Sequence, residues 1–148
     1  MVTSPSIYFH YLTEPFYFPK RTETKQYLFS IFKIHSKRIE TVNYIFCTDN
    51  YLLALNKDYL KHDYFTDIIT FQLSADASPI LSDVFISMDR AKENAKQFNV
   101  SAYHEILRLV IHGTLHLCGF TDKKKKETIE MKELESYYLS EFVSREIK

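Results

Sequence analysis

Two histidines four residues apart, followed by an aspartate, form the part of the chain best suited to chemistry. The stretch 112–122 reads HGTLHLCGFTD and contains His112, His116 and Asp122. On an α-helix, side chains four residues apart project from the same face, so both imidazoles would point to one side. A chain that turns back after the helix would bring the carboxylate to the same point. Two imidazoles and a carboxylate around one ion make a three-ligand metal site with an open fourth position.

Glycine is concentrated in this same stretch. The chain has two glycines, Gly113 and Gly119, and both lie here. At average usage, a chain of this length would have about ten. Gly119 fits the left-handed residue that ends a helix and reverses the chain. The concentration indicates backbone geometry that other residues would not supply.

The offsets of the ligands and of the second glycine follow the metzincin protease pattern H-x-x-x-H-x-x-G-x-x-(H/D), with one difference. Those proteases have a glutamate directly after the first histidine as a general base, whereas this chain has Gly113. The sequence therefore predicts a metal-dependent hydrolase that is not a protease. The alternative is a pair of surface or core histidines that occurs by chance; the matching offsets of the glycine and the third ligand argue against it.

With its flanks, the stretch resembles the YbeY family of metal-dependent endoribonucleases, the rRNA maturation factors of bacteria. The family signature HGxLHLxGYDH is matched at His112, Gly113, Leu115, His116, Leu117 and Gly119, with Phe120 for the usual tyrosine. Two upstream stretches, 55–71 and 81–87, look like the family's LN…PTDVLSF and LGDIxIS segments. The resemblance covers about residues 45–122, in three ordered blocks.

Three positions depart from the family pattern. Asp122 replaces the usual third histidine and keeps a metal ligand. Leu60 stands where the family usually has an arginine, so a basic group associated with RNA cleavage is missing. Ser82 replaces a glycine.

The resemblance implies a single-strand-specific, metal-dependent endoribonuclease that acts in late rRNA processing, at the 3′ end of 16S rRNA, and in ribosome quality control. Its partners would be rRNA and the ribosomal subunit. His112, His116 and Asp122 would hold one Zn²⁺, or another divalent metal, and the metal-bound water would be the catalytic group. The alternative is a non-nucleolytic ribosome- or RNA-binding factor with a structural metal, which Leu60 favours.

Other basic residues lie close to the predicted metal ligands. Arg108 is one helical turn before His112 and could contact a substrate phosphate, or it could belong to an exposed polar face. The run Lys123, Lys124, Lys125 and Lys126 follows Asp122. These lysines could bind RNA phosphates or form the solvated start of a helix. Cations at a helix N-terminus oppose the dipole, which favours a functional role.

Length and composition limit the domain count, the kind of RNA contact and the cellular compartment. At 148 residues, the chain predicts one domain, 1–148. Its net charge is zero, so any RNA contact must come from a local patch. No apolar run approaches the length of a membrane span. Cys47 and Cys118 form no CxxC pair, which indicates a reduced, cytoplasmic setting. Cys118 lies roughly opposite His116 on a helix and is predicted to be a buried residue.

The elements that must position the site alternate between strands and helices. Apolar periodicity predicts strands at 7–12, 41–47, 67–73 and 80–87, and helices at about 22–35, 51–60, 88–98, 101–117 and from about 123 to 146. Thr22 or Thr24 would cap the first helix, and Ile129, Leu134, Tyr138 and Phe142 would be the inward stripe of the last. The order predicts an α/β (α+β) fold. It would be a single layer, a mixed four-stranded sheet, with about five surrounding helices and the metal site at the end of a central helix.

Overall fold

The computed structural model describes residues 4–147. Its elements, in chain order, are β1 (Ser6–Tyr11), α1 (Arg21–Ile34), β2 (Ile39–Cys47), α2 (Asp49–Leu60), β3 (Ile68–Gln72), β4 (Ile80–Ser87), α3 (Met88–Phe98), α4 (Ala102–Leu117) and α5 (Lys125–Ile147). The four strands and five helices confirm the predicted α+β class. No helix in the described part of the chain is both long and apolar enough to cross a bilayer.

The four strands form one mixed sheet in the order β1-β2-β4-β3. β1 pairs with β2 and β2 with β4 in parallel, while β3 pairs with β4 antiparallel. Val84 of β4 lies beside Tyr44 on one neighbour and Thr70 on the other. β3 is therefore an edge strand, and the metal-site helix lies close to it, since α4 contacts both β3 and β4.

The main core fills one face of the sheet. Alternate residues of β2 and β4, including Tyr44 and Val84, pack there against α1, α4 and α5. The opposite face carries a smaller cluster in which Leu52 of α2 packs with Cys47 and Ile69. α4 is the central helix because ten of its sixteen residues are buried. Each large apolar side chain buried in this way stabilises the fold by about 1.5–3 kcal/mol.

Serine caps begin the two helices before the metal site. The Ser101 hydroxyl accepts the backbone N–H of His104, and the Ser87 hydroxyl accepts that of Arg90, so each satisfies a free donor of the first turn. The predicted threonine cap of α1 is wrong. Helix α1 follows Lys20, which has a left-handed backbone, and the Thr24 hydroxyl donates to the Lys20 carbonyl from inside the first turn.

The inward stripe of α5 differs from the predicted one. Tyr138 and Phe142 are buried as predicted, and Leu134 is partly buried against the core, but Ile129 is 51% exposed. The buried side of the helix also contains Met131, Glu135 and Leu139. The prediction for Ile129 is wrong because the inward stripe begins at Met131 and includes a charged residue, which a search for apolar periodicity passes over.

Candidate metal centre

The end of α4 sets the two histidine ligands side by side. The ring centroids of His112 and His116 are 4.5 Å apart, and their Nε2 atoms are 2.9 Å apart. The helix then closes at Gly119, whose φ is 103°. The Gly119 N–H donates to the His116 carbonyl and the Phe120 N–H to the Leu115 carbonyl. This is the Schellman arrangement, and it confirms the predicted left-handed reversal at Gly119.

The reversal brings the carboxylate of Asp122 to both imidazoles. Its Oδ2 lies 3.5 Å from His112 Nε2, and its Oδ1 lies 3.6 Å from His116 Nε2. The backbone there is held by α5, since the Thr128 hydroxyl donates to the Asp122 carbonyl at 2.9 Å. Ligands about 2.0–2.1 Å from a tetrahedral ion lie about 3.3 Å from one another. The three donors, which converge on one point, fit a divalent ion with room for a fourth ligand.

The protonation of these side chains suits a metal. Burial and the neighbouring His112 lower the pKa of His116, although Asp122 partly opposes them. A lowered pKa keeps the imidazole neutral at neutral pH, and only the neutral ring offers a lone pair to a cation. The exposed fraction rises from 12% for the His112 side chain to 27% for His116 and 39% for Asp122. The site is therefore closed behind His112 and open on the side of the other two donors.

Glu135 of α5 holds His112 from behind. His112 Nδ1 lies 2.7 Å from Glu135 Oε2, a contact in which the Nδ1–H donates and Nε2 is left free for an ion. Burial raises the pKa of Glu135, but contacts with His112 and Arg108 outweigh burial and leave the pKa below its ordinary value. Glu135 is thus an ionised carboxylate that fixes both the tautomer and the orientation of His112, a candidate metal donor.

Arg108 belongs to a buried ion-pair network behind the metal centre. Its Nε and Nη2 donate to the fully buried Glu105 at 2.7 and 2.6 Å, and its Nη1 donates to Glu135 at 2.6 Å. Asn94 extends the network, donating to Glu105 at 3.0 Å and to Asp67 at 3.1 Å. The phosphate contact of Arg108 stays a prediction. Its contacts with Glu105 and Glu135 place the guanidinium behind His112, where it orients Glu135.

Comparison with known proteins shows which proteins the chain is similar to. A family model described as "Endoribonuclease YbeY" matches residues 20–143. The chain belongs to the YbeY family. A protein of Cytophaga hutchinsonii named "Endoribonuclease YbeY" is 45% identical over 125 residues, which is 83% of this chain and 87% of that protein. One of the same name from Bacteroides fragilis is 40% identical over 132 residues, 88% and 94% of the two chains.

A solved structure supports the same relationship. The solution structure of TM1509 from Thermotoga maritima superposes with a TM-score of 0.60 at 25% identity, covering 94% of this chain and 90% of that one. The YbeY resemblance predicted from the histidine motif is therefore confirmed, together with its mixed sheet and surrounding helices.

A groove in this YbeY chain opens beside the exposed side of the metal centre. It measures about 710 Å³, and its lining includes Leu60, His62, Tyr64, His116 and Lys123; we call it the Leu60 groove. Lys123 is the member of the lysine run that lines it. Lys124 immediately precedes α5, and its backbone N–H donates to the Glu127 carboxylate at 2.9 Å, so the acid of the first turn satisfies a free donor at the helix start.

Two residues inside the motif have packing roles. A Cβ built at Gly113 would lie 2.8 Å from Cγ1 of Val84 and 3.2 Å from Cδ1 of Ile68, so Gly113 allows α4 to lie directly on the sheet. Cys118 is buried and unpaired, and burial raises the pKa of its thiol to about 12. A thiol that stays protonated is a poor metal ligand, in keeping with its predicted role as a buried residue.

Sequence reasoning did not find Glu105 and Glu135, the two carboxylates behind the site. Both lie at inward positions of helices that are otherwise apolar, since Glu105 is 0% and Glu135 4% exposed. Acidic residues are almost never fully buried unless they are paired. An acid on the inward stripe of an amphipathic helix was therefore the available signal, and it would have indicated a partner on a neighbouring helix.

Proposed function

We propose that this chain is a metal-dependent endoribonuclease of rRNA processing. The observation that carries the proposal is the convergence of His112, His116 and Asp122 beside a groove that His116 lines, with His112 held by a buried carboxylate. The relatives named "Endoribonuclease YbeY" support the reaction class. The whole chain would act as one domain, because one core joins α1, α4 and α5 to the sheet.

Each residue of the centre has a separate task in this mechanism. Glu135 holds His112 with Nε2 free, the lowered pKa of His116 keeps its ring neutral, and Asp122 supplies the negative charge. A divalent ion held there would polarise a phosphoryl oxygen and acidify a bound water. Lys123, which lines the groove, would offset the charge of the RNA backbone.

Finer features of the proposal follow from the groove and the donors. A two-histidine, one-carboxylate set suits Zn²⁺, and the carboxylate also suits other divalent ions. Tyr64 lines the groove with 56% of its surface exposed, which offers a ring on which an unpaired base can stack. We therefore propose single-stranded rRNA as the substrate, with the 3′ end of 16S rRNA as the processing site and the ribosomal subunit as partner. A role in ribosome quality control belongs to the same proposal.

The cellular setting is part of the proposal. Cys47 and Cys118 are both free. Unpaired thiols are typical of a reducing compartment, which supports action in the cytoplasm.

A cleavage assay tests the proposal. Purified protein is incubated with an rRNA precursor, with and without a chelator, beside the His116→Ala variant. His104→Ala on the same helix is the matched control, because His104 is outside the donor set. We expect cleavage by the native and His104→Ala proteins, and its loss with chelator or with His116→Ala. Cleavage that survives both treatments comes from a contaminating nuclease and would refute the proposal.

The second candidate is a non-nucleolytic RNA-binding factor whose metal is structural. Leu60, which stands at the family's usual arginine and is 42% exposed in the groove, favours it. In that case the native protein binds metal and rRNA but leaves the RNA intact. The His116→Ala variant then has a lower thermal stability, and it too leaves the RNA intact.

A further inference from the structure

Two grooves meet at His116 along the edge strand of the sheet. The second groove measures about 450 Å³ and is lined by residues 36–38 and 76–78, among others; we call it the Lys37 groove. It shares Gln72, His116 and Leu117 with the Leu60 groove. Residues 68–70 of β3 line the Leu60 groove, and Gln72 at the end of β3 lines both. The two grooves therefore follow one another along β3 and meet at His116, one of the three donors of the metal centre.

The Lys37 groove contains two cations, Lys37 and Arg38. Among the described side chains, those of residues 4–145, these two make no ion pair and no hydrogen bond, in contrast to Arg108. Their backbones are fixed, since the Lys37 N–H donates to the Phe32 carbonyl and the Ile80 N–H to the Arg38 carbonyl. Because the backbone holds these side chains in place and their charged groups are free to donate hydrogen bonds, they can bind an external anion.

The acids near these cations do not cancel them. Of the described residues that line the Lys37 groove, Asp76 is the one acid, whereas Lys37 and Arg38 contribute two positive charges. Beyond Arg38, a further groove of about 680 Å³ continues past Lys33 and Glu40 and shares residues 36–38 with the Lys37 groove. The whole chain has zero net charge, so this local excess of cations beside the metal centre is a feature of one surface.

We propose that the Lys37 groove binds the phosphodiester backbone of RNA on one side of the cleaved bond, while the Leu60 groove holds the RNA on the other side. This inference rests on the proposed function and adds the path of its substrate. A centre at the end of a blind pocket would accept only a chain end. A centre between two open grooves accepts an internal bond, which is what endonucleolytic cleavage requires.

The first test measures RNA binding without cleavage. A fluorescent single-stranded RNA of about 12 nucleotides is titrated, in chelator, against the native protein and the Lys37→Ala/Arg38→Ala variant over a series of salt concentrations. Each phosphate contact on a single strand contributes about 0.7 to the slope of log K against log salt. We expect the double variant to bind about tenfold more weakly at low salt, with a slope smaller by about 1.4.

Matched variants separate the groove from general charge and from folding. Lys92→Ala/Lys96→Ala removes two exposed cations of α3 and should leave both affinity and slope unchanged. Lys37→Arg/Arg38→Lys keeps the charges and should keep the slope. All variants should have the same melting temperature as the native protein, since the substituted side chains are exposed. An unchanged slope in the Ala variant, or an equal loss in the α3 control, would overturn the proposal.

The second test locates the contact relative to the cut. Substrates are shortened stepwise from the 5′ and from the 3′ side of the cleavage position. Shortening on one side should raise KM for the native protein but not for Lys37→Ala/Arg38→Ala, whose kcat should stay within about threefold. A fall in kcat at unchanged KM would refute a binding role. If the native protein cleaves no RNA, the proposed function fails. The binding titration still tests whether the Lys37 groove binds RNA, because it does not depend on cleavage.

Discussion

Nδ1 of His112 lies 2.7 Å from Oε2 of Glu135, which places a buried carboxylate directly behind one of the three candidate metal donors. Glu135 is 4% exposed and also accepts Nη1 of Arg108. One carboxylate thus couples the docking of α5 on α4 to the orientation of the imidazole. Partners of this kind fix the tautomer of a ligating histidine and raise its basicity.

Glu135→Gln is expected to weaken metal binding by about 10- to 100-fold, because the variant keeps the shape of the side chain but removes the charge behind His112. The affinity is measured by competition with a chromophoric chelator on protein shown to be folded. Glu133→Gln is the control, since Glu133 is exposed on the same helix. Equal metal affinities for the native protein and Glu135→Gln would show that the carboxylate has no role at the centre.

Gly113→Ala is expected to lower the free energy of unfolding by up to about 2 kcal/mol. Overpacking a core costs about 1–3 kcal/mol, and the gain in helix propensity of about 1 kcal/mol offsets part of it. The clash is with Val84, which is fully buried and β-branched, so its side chain has little room to turn away. Urea unfolding at neutral pH measures this change in the free energy of unfolding.

The double variant Gly113→Ala/Val84→Ala tests the cause. Shortening Val84 should recover part of the loss, so the two changes should be non-additive. Gly119→Ala is the contrast: its φ of 103° strains any other residue, and a Cβ there meets nothing within 4 Å. That variant should also be destabilised, but Val84→Ala should not rescue it. Additive losses at Gly113 and Val84 would exclude the close approach as the reason for the glycine.

The convergence of the three donors could be predicted from sequence because their geometry is local. His112 and His116 need only a helix, and Asp122 needs only the reversal that Gly119 makes. The role of Gly113 was predicted less well. Its backbone is helical, and the reason for glycine is the approach of Val84, which lies in another element. Contacts between elements do not follow from the periodicity of either one.

The carboxylates behind the site show the same limit. Glu135 is 23 residues from His112, and their contact depends on how α5 docks on α4. The error at Ile129 has a related origin: apolar spacing predicts a helix but not the residue at which its contact with the core begins. Four strands could be predicted from alternation, whereas the order β1-β2-β4-β3 depends on pairings between distant residues.

Asp122→His is expected to retain a bound metal and to shift the pH–activity profile to lower pH. The substitution replaces an anionic ligand with a neutral one, which leaves more net positive charge at the centre and favours ionisation of bound water. The pH profile of kcat is measured for both proteins with the same RNA. Glu93→Gln, at an exposed acid of α3 outside the donor set, is the control. A profile that stays in place or moves upward would contradict the charge argument.

Leu60→Arg is expected to raise kcat/KM for RNA by about tenfold, since a hydrogen bond from a charged group contributes about 1.5–3 kcal/mol. Leu60 lines the groove that also contains His116, so a guanidinium there could reach the RNA backbone beside the metal. Leu73→Arg is the control, because Leu73 is also an exposed leucine. Equal rates for Leu60→Arg and the native protein would mean that this position does not contact the reacting segment.

Alkaline pH is expected to destabilise the fold through buried tyrosines. Tyr27 is 6% exposed, and its hydroxyl donates to the Tyr138 carbonyl at 2.7 Å. Burial raises the pKa of Tyr27 to about 12 from 10.0, with Arg145 partly opposing it. The folded state therefore holds this proton more tightly than the unfolded chain. Its contribution is complete below about pH 10 and is lost between about pH 10 and 12, up to about 2–3 kcal/mol.

Tyr27→Phe separates this effect from general alkaline unfolding. The variant loses the hydrogen bond and should be less stable at pH 8 by about 1 kcal/mol. Between pH 8 and about pH 11 it should lose less stability than the native protein, because one buried phenol no longer ionises. Tyr17→Phe, at a residue that is 82% exposed, should follow the native curve. Tyr44, whose pKa burial also raises, still ionises in the variant, so part of the alkaline loss remains. Parallel curves for Tyr27→Phe and the native protein would show that the phenol of Tyr27 ionises as readily in the fold as in the unfolded chain.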